Sequence, residues 1–162
     1  MKNKRVLFTT QGALIAALYV VLTFTFATFS SGPIQVRLAE ALSVLPYFTP
    51  AAIPGLFAGC LIGNVLAGSI LWDVIFGSLA TLIGAIGTYL LRKKNPFLAP
   101  LPPILSNTII VPFILRYGYG NPLPIPYMML TVGIGEFVSC GLLGVLLLTA
   151  LNKYRHRIFK VR

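Results

Sequence analysis

The residues best able to do chemistry in this chain stand in the stretch Ile34-Gln35-Val36-Arg37-Leu38-Ala39-Glu40-Ala41-Leu42, where Arg37 and Glu40 sit amid apolar sequence. An uncharged run lies on each side, Val6 to Val36 before and Ala41 to Trp72 after. On an α-helix residues three apart lie on one face, so Arg37 and Glu40 can pair with each other or jointly address a ligand. A charge in hydrocarbon costs roughly 2.5–3.5 kcal/mol on insertion scales. Two such charges kept close together point to a polar site inside a membrane protein.

The other acids extend that site. The chain has only three, Glu40, Asp73 and Glu136, and none lies beside a basic cluster. Glu136 is nine residues beyond Tyr127, roughly 14 Å deep by helical rise. Arg37, Glu40, Trp72, Asp73, Arg116, Tyr117, Tyr119 and Tyr127 fall at or near helix ends that the topology below places outside. They point to a pocket open to the outside and floored by Glu136. Internal pairing is the competing reading: Arg37 with Glu40, Arg116 with Asp73, and a protonated Glu136, since membrane-embedded charges often pair. Trp72 and the tyrosines can equally be interfacial anchors.

The elements that position these groups follow from composition. Hydrophobic residues make up 57% of the 162, charged residues 10%, and the mean hydropathy is +0.88. Soluble domains carry about 25% charged residues, so this is an all-α polytopic membrane protein, one domain over residues 1–162. The net charge of +10 does not indicate nucleic acid. Eleven of the thirteen Lys and Arg fall in three short clusters: Lys2, Lys4, Arg5; Arg92, Lys93, Lys94; and Lys153, Arg155, Arg157, Lys160, Arg162. Basic clusters between apolar spans are the positive-inside signal.

Six helices are expected, at about 7–29, 35–47, 51–66, 72–91, 100–115 and 125–151. Ser30-Ser31-Gly32-Pro33 and Gly68-Ser69 read as turns. Pro46, Pro50 and Pro54 divide a run that as one helix would extend about 48 Å, against a hydrocarbon core of about 30 Å. The second helix is short, the form expected where backbone lines a binding cavity. Pro112 should kink the fifth. If the basic clusters are cytoplasmic, Val6 to Leu91, 86 residues, holds four crossings and the remainder two. Both termini are then cytoplasmic. The basic head and apolar run at the N-terminus are expected to be a retained helix, because the run is longer than a signal h-region and lacks a clear cleavage site.

Ala13 and Ala17, flanked by Gly12 and Ala16, form a small-xxx-small pair that lets another backbone approach closely. Spacing alone favours ordinary packing within the bundle. Cys60 and Cys140 read as small core residues. There is no Walker loop, no nucleophilic triad and no metal-ligand cluster, and His156 lies in the basic tail. A small binder without a motor implies energy from partner subunits or from an ion gradient.

The stretches Gln35-Val36-Arg37-Leu38-Ala39-Glu40-Ala41-Leu42, Leu45-Pro46-Tyr47-Phe48-Thr49-Pro50, Ala51-Ala52-Ile53-Pro54-Gly55 and Asp73-Val74-Ile75-Phe76-Gly77-Ser78-Leu79-Ala80-Thr81-Leu82 resemble the QueT family. These proteins are the substrate-binding S components of energy-coupling-factor (ECF) transporters. The resemblance implies a six-helix S-component bundle in a prokaryotic cell membrane, with no cofactor and no enzymatic activity of its own. Its implied partners are a transmembrane coupling protein and two cytoplasmic ATPases. An Ala-x-x-x-Ala element on the first helix docks on the coupling protein in that family, which gives Ala13 and Ala17 that role instead of bundle packing. The implied substrate is a queuosine precursor, a 7-deazapurine such as 7-aminomethyl-7-deazaguanine (preQ1). Glu40 and Glu136 would be its main polar ligands and Arg37 would orient Glu40 or meet the base carbonyl. Asp73 would help bind a cationic substituent, with Trp72, Tyr117 or Tyr127 stacking on the base. An ion-coupled small-molecule transporter, and an S component for a different vitamin or nucleobase, remain the alternatives.

Overall fold

In the computed structural model, which describes residues 2–26 and 36–155, every regular element is helical. The last residues of the first expected crossing, the turn at Ser30-Ser31-Gly32-Pro33, Gln35, and the tail from His156 onward lie outside the described residues.

Four helices are long and apolar enough to cross a membrane: α1 (Lys2–Thr25), α3 (Asp73–Leu91), α4 (Pro96–Gly118) and α5 (Ile125–Lys153). Between α1 and α3 stand two shorter apolar elements, a 3-10 helix at Leu38–Tyr47 and the α-helix α2 (Ala52–Leu66). The expected boundaries hold to within a few residues, apart from earlier starts for α1 and α4 and a 3-10 rather than α form for the second helix. That form changes its reach. At about 2.0 Å per residue ten residues cover about 20 Å, against about 15 Å as α-helix.

A 3-10 helix this long is uncommon, because its hydrogen bonds are strained and its side chains eclipse at every third position. Here it is held by its surroundings. Ala39, Glu40, Leu42, Ser43, Val44, Leu45 and Pro46 are all buried, and the segment touches α1, α2, α3 and α5. It is the central element of the bundle. Pro46 lies inside it, the ladder closes with Phe48 N donating to Leu45 O at 2.9 Å, and Thr49 Oγ1 donates to Gln11 Oε1 of α1 at 2.9 Å.

The long helices wrap this centre by close backbone approach, as expected where small residues set the packing distance in a bilayer. A Cβ added at Gly55 would lie 2.6 Å from the carbonyl oxygen of Gly12, and one at Gly59 would lie 3.0 Å from Ala16 Cα. The internal contact of α1 therefore runs through Gly12 and Ala16, while Ala13 and Ala17 face outward and are exposed. Ordinary packing within the bundle is not what that alanine pair does. Gly68, at φ +74°, ends α2 as a glycine past a helix terminus commonly does, and Ser69 N donates to Asn64 O at 3.0 Å.

Three helices carry wider π-type turns: Asp73–Gly77 opening α3, Ile114–Gly118 closing α4 just after Pro112, and Phe137–Leu143 inside α5. Such turns are frequent at functional sites. Two of them adjoin Asp73 and Glu136. The bundle is inside-out by the standard of a soluble protein. Large apolar side chains such as Leu14, Val21, Ile83, Leu90 and Leu146 are exposed, while Ser43, Asn64, Thr81, Thr88, Asn107 and Ser139 are buried.

Candidate functional site

The three acids are buried: Glu40 is 1% exposed, Glu136 4% and Asp73 9%. Each accepts hydrogen bonds from uncharged polar side chains. Tyr19 Oη of α1 donates to Glu40 Oε1, and Ser43 Oγ donates to Glu40 Oε2 at 2.8 Å. The Ser43 contact is a direct product of the 3-10 form, which stacks residue i+3 over residue i.

Arg37 stands just before the 3-10 helix with extended backbone, φ −99° and ψ 100°. It therefore does not share an α-helical face with Glu40 as the spacing had implied. Its Nη2 donates to Asn64 Oδ1 of α2 at 2.8 Å, and Asp73 is the acid whose charge acts most strongly on it. Asn64 Nδ2 in turn donates to the Asp73 carbonyl at 3.3 Å, and Tyr119 Oη donates to Asp73 Oδ2 at 3.1 Å. Asn64 thus joins the start of the 3-10 helix to the start of α3, and Tyr119 brings in the loop after α4. Arg116 does not engage Asp73; its Nη1 donates to the Asn121 carbonyl at 3.0 Å.

Glu136 lies part-way along α5. Asn107 Nδ2 of α4 donates to Glu136 Oε1 at 3.0 Å. Glu136 Oε2 has no hydrogen-bond partner, nor has Ser139 Oγ three residues on. The Phe137–Leu143 turn packs on the 3-10 helix, and Glu136 lies within the field of Glu40. Sites called from distant parts of the chain, Arg37, Glu40, Asp73 and Glu136, are thereby gathered around the 3-10 helix. The Arg37–Asn64–Asp73–Tyr119 group occupies the end of the bundle where α3 begins. Arg92, just past the end of α3, is then about 27 Å away along the helix.

Trp72, Tyr117 and Tyr127 are not in this cluster. All three are exposed, Tyr117 to 77%. Trp72 stacks on Phe76 with ring centroids 5.5 Å apart, and Tyr117 stacks on Phe113 at 6.4 Å. These four rings line an apolar groove on the outside of α3 and α4.

Sequence reasoning passed over Tyr19, Ser43, Asn64, Asn107 and Ser139. A signal for the two amides was present, since Asn64 and Asn107 each interrupt a long apolar run and a buried amide without a partner is costly. Tyr19 carried no comparable signal, because an aromatic in an apolar helix reads as core or anchor.

A family model described as QueT transporter matches residues 9–153. A relative from Lactococcus lactis subsp. cremoris (strain MG1363), "Queuosine precursor transporter QueT", is 32% identical over 166 aligned positions, covering 87% of this chain and 89% of the relative. No solved structure matches the chain. With four helices apolar and long enough to cross a membrane and a family match over nearly the whole length, this membrane protein belongs to the QueT transporter family.

Proposed function

We propose that this chain is the substrate-capturing membrane subunit of an importer for a queuosine precursor, a 7-deazapurine of the preQ1 type. The substrate class is carried over from the name of the Lactococcus lactis relative. One observation carries the reading: all three acids of the chain are buried, Glu40 and Glu136 at the central 3-10 helix and Asp73 beside Arg37, and one of them keeps a free carboxylate oxygen. A structural charge would be expected to be fully paired inside the bilayer. An amine-bearing 7-deazapurine offers N–H donors whose hydrogen bonds such an oxygen can accept.

The site takes in Arg37, Asp73 and Glu136, beside a Glu40 whose oxygens are both satisfied by Tyr19 and Ser43, and it opens at the end of the bundle where α3 begins, opposite the basic loop at Arg92. Six crossings with both termini and all three basic clusters in the cytoplasm put that opening outside the cell. The 3-10 helix and α2 supply the two crossings beyond the four long helices. The exposed rings of Trp72, Tyr117 and Tyr127 act as interfacial anchors beside the opening, where amphipathic aromatics are favoured. Import is powered by partners: a transmembrane coupling protein that docks on the outward-facing Ala13 and Ala17, and two ATPases. The loaded subunit docks, reorients and releases inward.

The test is thermal unfolding of the purified chain in detergent with and without 7-aminomethyl-7-deazaguanine. A ligand that binds only the native state stabilises it by about 2.7 kcal/mol at a hundredfold excess over Kd. A midpoint unmoved at millimolar ligand defeats the assignment.

A further inference from the structure

The two central carboxylates are not equivalent. Each oxygen of Glu40 already accepts a hydrogen bond, from Tyr19 and from Ser43. Glu136 is held through Oε1 alone, by Asn107. Its Oε2 and the neighbouring Ser139 Oγ are buried without partners. Orphaned buried polar atoms are rare and costly, and here two stand one turn apart on the same helix.

The charge is the second observation. Three buried acids face one guanidinium, and that guanidinium is held by Asn64 within the field of Asp73. Among the described residues no cation is hydrogen-bonded to Glu40 or Glu136, on which Arg37 acts only through its charge. Two neighbouring acids in dry surroundings are stabilised by a proton or by an opposite charge brought in.

We infer that Glu136 Oε2 and Ser139 Oγ form the subsite for a protonated amine on the substrate, with Glu40 an internally satisfied countercharge rather than a ligand. This rests on the reading above that the chain captures a 7-deazapurine. It selects, among such compounds, the one that carries an ammonium group. A 7-aminomethyl substituent is protonated at neutral pH and donates to both oxygens. A 7-cyano substituent is neutral and presents a nitrogen lone pair to a carboxylate, which repels it.

Isothermal titration calorimetry on the full chain in detergent tests this with 7-aminomethyl- and 7-cyano-7-deazaguanine. The wild-type protein should bind the amine at least about tenfold tighter, as befits a charge-assisted hydrogen bond. Glu136→Gln should bring the ratio close to one, and Ser139→Ala should lower it. Glu40→Gln, whose amide can still meet Tyr19 and Ser43, should keep most of the preference. Equal wild-type affinities would overturn the inference while leaving the 7-deazapurine reading intact. So would a preference that survives Glu136→Gln, or one that is erased by Glu40→Gln instead. Binding of neither compound would overturn both.

Discussion

Removing one oxygen atom, by Tyr19→Phe, probes the junction between α1 and the 3-10 helix. Tyr19 is fully buried, its Cβ lies over Gly59, and its hydroxyl donates to Glu40 Oε1. The phenylalanine ring keeps the packing and takes away the donor. Hydrogen bonds to charged groups contribute about 1.5–3 kcal/mol in soluble proteins. Side-chain hydrogen bonds between membrane helices average about 0.6 kcal/mol with a maximum near 1.7. The low values arise where the unfolded helix finds other partners, whereas here both groups are buried and no solvent replaces the donor. A loss of about 1.5 kcal/mol follows, or roughly 3–6 °C in melting midpoint at the scaling for a chain of this size. Ser43 holds the other oxygen of the same carboxylate, so Ser43→Ala should cost a similar amount and the pair should not be additive. Thermal unfolding in detergent of the two single variants and the double variant reads both quantities. A Tyr19→Phe loss below about 0.5 kcal/mol together with strict additivity would refute the view that Glu40 is held from inside.

Other perturbations follow from the same geometry. Gly55→Val should be severely destabilising, because even a Cβ there would meet the Gly12 carbonyl at 2.6 Å; overpacking costs about 1–3 kcal/mol, and a neutral effect on unfolding would contradict the α1–α2 contact. Asn64→Ala should lower stability by about 1–3 kcal/mol, since it strips partners from Arg37 and from the Asp73 carbonyl; a variant that unfolds at the wild-type midpoint would contradict the junction at Asn64. Ala13→Trp points outward and should leave binding by the isolated subunit unchanged while blocking uptake in cells; loss of binding as well would make Ala13 part of the fold.

How far the sequence disclosed this arrangement depends on the kind of signal each residue carries. Pro46, Pro50 and Gly68 change the backbone wherever they stand, so the short central segment and the end of α2 were readable from them. The charges were equally visible, since Arg37, Glu40, Asp73 and Glu136 are conspicuous in apolar sequence; Glu40 and Glu136 come to the centre, while Arg37 and Asp73 meet at the end of the bundle where α3 begins. The 3-10 form of Leu38–Tyr47 was not readable. Its apolar positions fit an α-helical period as well, and only burial on every side makes the tighter helix tolerable. The same limit hid the wider turns at Asp73–Gly77 and Phe137–Leu143. It also hid the partners of the acids: whether Glu40 meets Arg37 or Tyr19 turns on a dihedral angle at Arg37 that no spacing rule encodes. For Ala13 and Ala17, spacing could not say which of two adjacent small pairs faces inward. Gly12 and Ala16 do, because Gly55 and Gly59 lie opposite them.

The account stands most directly on what the chain carries when it is purified. Mass spectrometry of the small molecules released from the detergent-solubilised protein should recover a 7-deazaguanine with an amine substituent, and a Glu136→Arg variant purified in parallel should release none. Recovery of an unrelated vitamin, or of the same deazaguanine in equal yield from the Glu136→Arg variant, would contradict it.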